Sequence, residues 1–123
     1  MVSAKKAVDM LASYGFASVA AVSQDGNEIL DKTATFAAST AEISNIVANI
    51  GNESYSEGGV IVLNGVAYRL FKNDLNSLVA EDDGKGVIFR LSGDKWIIGV
   101  YDWDLNRDDA DWEIYVIATA PYL

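Results

Sequence analysis

Apolar residues recur at helical spacing near the start of the chain, again in its middle, and cluster in strand-length runs elsewhere. Ala4, Ala7, Val8 and Leu11 fall at i, i+3, i+4 and i+7, with Lys5, Lys6 and Asp9 between them. Ser3 stands where an N-cap belongs and Gly15 where such a helix closes, so the spacing predicts an amphipathic helix between them. Residues 16–22 (FASVAAV) and the run NEILDKTATF read as two strands, joined by a turn at Asp25-Gly26. Ser39 followed by Glu42 is a capping box. Ile43, Ile46, Val47 and Ile50 then form one stripe ahead of Gly51, which predicts a second helix.

The segment GGVIVLNGVAYRLFK reads as two strands turning at Asn64-Gly65, a pair that tolerates the positive φ angles of a two-residue hairpin. LNSLVAEDDGKGVIFRLSGDKWIIGVY adds three more, separated by the turns DDGKG and SGDK, and five successive strands predict an antiparallel meander. The last segment, DDADWEIYVIATA, carries acids where a helix N-terminus favours negative charge. Ile114, Tyr115, Val116 and Ile117 would equally suit a strand. With the helix, the order is α-β-β-α, five strands and a final α. That is one α+β domain over residues 1–123, a single twisted sheet of about seven antiparallel strands with helices packed on it.

A chain of 123 residues, 50% of them hydrophobic and only one a proline, suits one folded domain with a real core. Nine bases against 18 acids give a net charge of −9. This leaves little with which to build the basic face that displaces counterions from nucleic-acid phosphates. Cysteine and histidine are both absent, which removes disulfides, thiolate and histidine catalysis, and the usual zinc ligands. No apolar run has signal-peptide or membrane-spanning length, so the expected address is the cytoplasm.

The acids of DWDLNRDDADWE merit separate weighing, because Asp102, Asp104, Asn106 and Glu113 fall at positions 1, 3, 5 and 12 of an EF-hand calcium loop. Arg107 occupies the position where that loop needs glycine, and the segment before it reads as a strand. The reading preferred here is a solvated acidic loop whose Asp108, Asp109 and Asp111 cap the final helix. Gly58-Gly59 precedes a strand and not a helix, so it makes no phosphate loop. No catalytic group, cofactor or metal site is expected.

The hairpin AAVSQDGNEI, the helix TAEISNIVANI, the run NGVAYRLFKND, the turn before GVIFRL and the passage of KWIIGVYD into the last helix together resemble the profilins, most of all protozoan and plant members. The likeness covers essentially the whole chain. It implies a cytoplasmic, monomeric cytoskeletal protein that binds actin monomers and regulates polymerisation, by sequestering them or by opening their nucleotide cleft. Lys72 matches a basic position of that family's actin-binding face, with Arg69, Leu70 and Phe71 beside it on the same strand. Asn106, Asp111 and Tyr115 match contact positions around the last helix. Glu81 and Asp82 depart from the pattern, since many relatives are basic in that turn, and this weakens the expectation of phosphoinositide binding. The aromatic rings with which profilins hold proline-rich ligands are replaced by Ala4, Ala7 and Ile29, leaving Tyr122 alone. Proline-rich partners are therefore not expected, and the acidity suits a divergent member such as an archaeal one.

Taken as residues alone, the same positions read more plainly. Arg69 and Lys72 are three apart, so a regular strand would point them to opposite faces. Leu70, Phe71 and Trp96 suit the interface between sheet and helices. The alternative function is a PAS-like small-molecule sensor, in which a similar five-stranded sheet cups a ligand.

Overall fold

The structure is a computed structural model that describes residues 1–53, 55 and 58–123. It contains α1 (Ala4–Tyr14), β1 (Ser18–Ser23), β2 (Ile29–Lys32), α2 (Thr40–Asn49), β3 (Val60–Leu63), β4 (Val66–Asn73), β5 (Ser77–Asp82), β6 (Lys85–Ser92), β7 (Lys95–Tyr101) and α3 (Arg107–Thr119). The strands form one antiparallel sheet in the order β2-β1-β7-β6-β5-β4-β3. The meander thus runs unbroken from β3 to β7, and the first hairpin docks on its far edge through β1 and β7.

Two cores lie on opposite faces of this sheet. On one, Val8, Leu11, Ile114 and Ile117 of α1 and α3 pack on Val19, Val79, Ile88 and Ile97. On the other, α2 and the segment before it place Phe36, Ile43, Ile46 and Val47 on Leu70, Leu78, Phe89 and Ile98. Alternation along each strand supplies both faces at once, which is why these strands read as nearly continuous apolar runs. The buried Ser92 hydroxyl donates to the Ala118 carbonyl at 2.7 Å and fixes the end of α3 on β6.

Local chemistry accounts for the boundaries. The Ser3 hydroxyl caps α1, and the chain leaves the helix at Gly15. In α2 the capping box is complete: Ser39 Oγ accepts from the Glu42 amide at 3.2 Å and Glu42 Oε1 accepts from the Ser39 amide at 3.2 Å. The other oxygen of Glu42 accepts the amide of Asn64 at 2.9 Å, which ties α2 to the β3–β4 turn. At that turn Asn64 and Gly65 have φ of 50° and 76°, the left-handed pair of a two-residue hairpin.

β2 is shorter than NEILDKTATF suggests. It stops at Lys32 because the Thr33 hydroxyl bonds the Val19 amide at 3.1 Å, while Thr35 Oγ1 donates to the Ala17 carbonyl at 2.9 Å. The Thr33 amide still bonds the Val19 carbonyl at 2.9 Å, but beyond it hydroxyl bonds take over and the chain turns away. The last segment is helical, as its acids indicate. Its cap is Asn106, whose side chain accepts the Asp109 amide at 2.8 Å, so Asp108 and Asp109 occupy the first turn and are not the capping residues.

Candidate functional site

β4 carries a bulge that changes which of its residues share a face. Arg69 lies opposite Glu81 and Leu70 opposite Ala80, but Lys72 lies opposite Val79, so Phe71 is the extra residue. Ladder partners point the same way, and Val79 and Glu81 both face α3's side of the sheet. Arg69 and Lys72 therefore lie on one face after all, because the bulge absorbs the residue that a regular strand would have counted. Phe71 also turns outward and is 48% exposed, contrary to its expected place in the core. Leu70 goes the other way: it is 3% exposed and packs into the core on the α2 side. Trp96 is buried in that same core, its indole N–H donating to the Gln24 carbonyl at 3.1 Å.

Arg107, the first residue of α3, is the centre of the exposed face. Its guanidinium carbon lies 3.6 Å from the centre of the Phe71 ring. Its nitrogens approach Glu81 at 3.8 Å and Asp108 at 3.7 Å, attractive charge contacts beyond hydrogen-bond reach. Glu81 is held from below by the Tyr101 hydroxyl, which donates to it at 2.6 Å. Burial, reinforced by that hydrogen bond and the carboxylate charge, pushes the Tyr101 phenol far above its ordinary value.

Farther along α3, Asp108, Asp111, Trp112 and Tyr115 follow helical spacing on the side away from the buried stripe Ala110, Ile114, Ile117. Lys72 reaches Asp111 at 3.8 Å, and the Arg90 guanidinium lies 4.7 Å from the Tyr115 ring centre. Trp112 and Tyr115 are both exposed, their ring centres 5.6 Å apart.

Three shallow depressions meet on this face. One of about 550 Å³ is lined by Glu81, Trp103, Asn106 and Arg107, and one of about 260 Å³ by Arg69, Phe71, Glu81 and Arg107. A third, about 390 Å³, lies among Lys72, Arg90, Asp108 and Tyr115. The structure thus brings Arg69, Phe71, Lys72, Asn106, Asp111 and Tyr115 onto one continuous surface, while Leu70, although it borders the smallest of these depressions, is buried and only 3% exposed. Sequence reasoning missed Arg90, Arg107, Trp103 and Trp112 as members. The signal for Trp112 was its i, i+3 spacing with Tyr115, off the apolar stripe of the helix. For the arginines it was that the chain has only three, Arg69, Arg90 and Arg107, and all of them converge here.

The stretch with EF-hand spacing is not a loop throughout. From Arg107 to Glu113 it is helix, with Asn106 already engaged as the cap, so its carboxylates cannot wrap one ion in the EF-hand manner. The sheet of a PAS-like sensor would cup a ligand. Here the middle strands are packed on both faces, Ile88 and Ile97 against α1 and α3, and Phe89 and Ile98 toward α2. Among the described residues, no helix is long and apolar enough to cross a membrane.

Comparison with curated proteins finds no match. Among solved structures, the fold superposes on Acanthamoeba castellanii profilin IB with a TM-score of 0.83 at 23% identity, covering 94% of each chain. It superposes on Schizosaccharomyces pombe profilin with a TM-score of 0.81 at 20% identity, covering 96% of this chain and 99% of that one. A third similar structure is Loki profilin 2 in its complex with rabbit actin, at a TM-score of 0.73 and 15% identity, covering 93% and 91%. The family model described as Profilin matches residues 2–120. With the three helices, the seven-stranded order and the two-sided core in agreement with that match, the chain belongs to the profilin family.

Proposed function

We propose that the chain binds an actin-like monomer through the face built from β4, β5, β6 and α3, and that by holding monomers it controls their availability for polymerisation. The observation that carries this reading is the placement of charge. A chain of net charge −9 gathers Arg69, Lys72, Arg90 and Arg107 on one surface, interleaved with the exposed rings of Phe71, Trp112 and Tyr115. Arginine and large aromatic residues supply most of the energy in protein interfaces. The solved complex of Loki profilin 2 with rabbit actin supports an actin as the partner.

No chemical step is required of this protein. Tighter binding to one conformation of the monomer shifts the monomer's own equilibrium. A preference for the form with an open nucleotide cleft would speed exchange, and equal affinity for both forms would sequester without exchange. The test is titration of cognate monomeric actin, followed by fluorescence and by sedimentation, with the wild-type chain and with Lys72→Glu and Tyr115→Ala. Saturable binding weakened by both substitutions is expected, and unchanged affinity in both would overturn the assignment of this face.

We further propose that the chain does not hold proline-rich ligands between its terminal helices. Ala4 and Ala7 turn toward the core of α1 and α3, and Ile29 packs against the opposite core, so none offers a flat exposed ring. Tyr122 alone projects, 95% exposed. A polyproline II helix docks on aromatic ledges, and one isolated ring does not make one.

A further inference from the structure

Trp103, which sequence reasoning did not single out, is an exposed ring on this face held by three contacts of its own. It is 68% exposed. Its indole N–H donates to the Asp83 carbonyl at 2.8 Å, and the Lys85 ammonium lies 4.4 Å from the ring centre. The ring also rests on Gly84, where an added Cβ would come within 2.5 Å of the indole. Gly84, at φ +78°, is thus the residue that lets the β5–β6 turn accept the indole. A large apolar ring on the surface normally costs entropy when a partner immobilises it. Here the turn has already fixed it, and the free side of the ring is continuous with Glu81, Asn106 and Arg107 through one depression.

We propose that Trp103 is a preset anchor for the actin-like partner, at the place where the binding face meets the β5–β6 turn. This rests on the function proposed above. Glu81, Asp108 and Asp109 line the same depression, three carboxylates against the one guanidinium of Arg107, so the partner segment that seats there carries a basic side chain, its alkyl stem on the indole and its charge toward the carboxylates. Such an arrangement selects an actin with matching charge.

The experiment measures the affinity of the source organism's own monomeric actin for wild type, Trp103→Ala, Asp108→Lys and Lys72→Glu, with thermal melting of each variant. Trp103→Ala is expected to weaken binding about tenfold or more, the effect of losing an interface anchor, with the melting curve showing that the variant is folded at the temperature of the titration. Asp108→Lys should weaken binding also, and unchanged or increased affinity overturns the basic-contact part. Affinity of Trp103→Ala within about twofold of wild type, while Lys72→Glu is weakened, overturns the anchor and leaves the binding face standing. Absence of binding by the wild-type chain overturns both. Should Trp103→Ala fail to fold, the indole N–H resonance of Trp103 in the wild-type chain decides: a shift on adding actin is expected, and a signal unmoved at saturation contradicts the proposal.

Discussion

Lys72 lies 3.8 Å from Asp74 and 3.8 Å from Asp111, so its charge is shared before any partner arrives. Exposed pairs of this kind contribute about 0–1 kcal/mol to stability, and Lys72→Glu should leave the fold intact while placing a third acid beside two others. We expect affinity for the monomer to fall by about tenfold or more, largely through a slower association rate, and the loss to shrink as salt is raised. Stopped-flow association at several ionic strengths checks this. Glu42 poses a different test. The Ser39 amide above all, with help from the Asn64 amide and the Ser39 hydroxyl, holds its carboxyl below the ordinary carboxylate range despite the opposing effect of burial. A depressed folded-state value means that the ionised form stabilises the fold at neutral pH, and that this contribution disappears as pH falls through the folded value. Glu42→Gln should therefore lower the melting temperature at pH 7, and the gap to wild type should close on acidification from about pH 5 toward pH 3.

Among the elements, those bounded by their own side-chain chemistry are legible in the sequence. Ser39 and Glu42 announce α2, Asn64-Gly65 announces the β3–β4 hairpin, and the acids after Asn106 announce α3. What could not be read was the β4 bulge, because nothing in VAYRLFKN distinguishes a regular strand from one with an extra residue. Only the pairing with β5 fixes the register. That single residue reverses two expectations, exposing Phe71 and joining Arg69 with Lys72. The candidate site was consequently half legible: matched positions were found by resemblance, while Arg90 and Arg107 needed the sheet and α3 to be brought together.

Deleting Phe71 should leave Leu70 opposite Ala80 and Lys72 opposite Val79, an unbroken ladder. The deletion variant is expected to fold with a melting temperature near wild type and to bind the monomer more weakly, because Arg107 loses the ring beneath it. Collapse of the fold would show instead that the bulge is needed by the sheet. The terminal helices carry a further prediction, that a polyproline decamer produces no saturable NMR shifts. Shifts clustering on α1 and α3 would show that another surface replaces the missing rings.

For the molecule as a whole, two cores on one sheet leave a division of labour. α2 covers one side, α1 and α3 cover the middle of the other, and the outer part of that second side, toward β4 and the start of α3, stays open with the three arginines on it. A surface on which exposed rings and all three arginines stand among carboxylates, on a chain of net charge −9, is where a macromolecular partner would be recognised. The most direct measurement is hydrogen–deuterium exchange of the protein alone and saturated with cognate monomeric actin. Protection concentrated in β4 from Arg69 to Asn73, in the loop from Asp102 to Asn106 and in the exposed side of α3 is the predicted result. Protection confined to α1, β2 or α2, with that face unchanged, would contradict it.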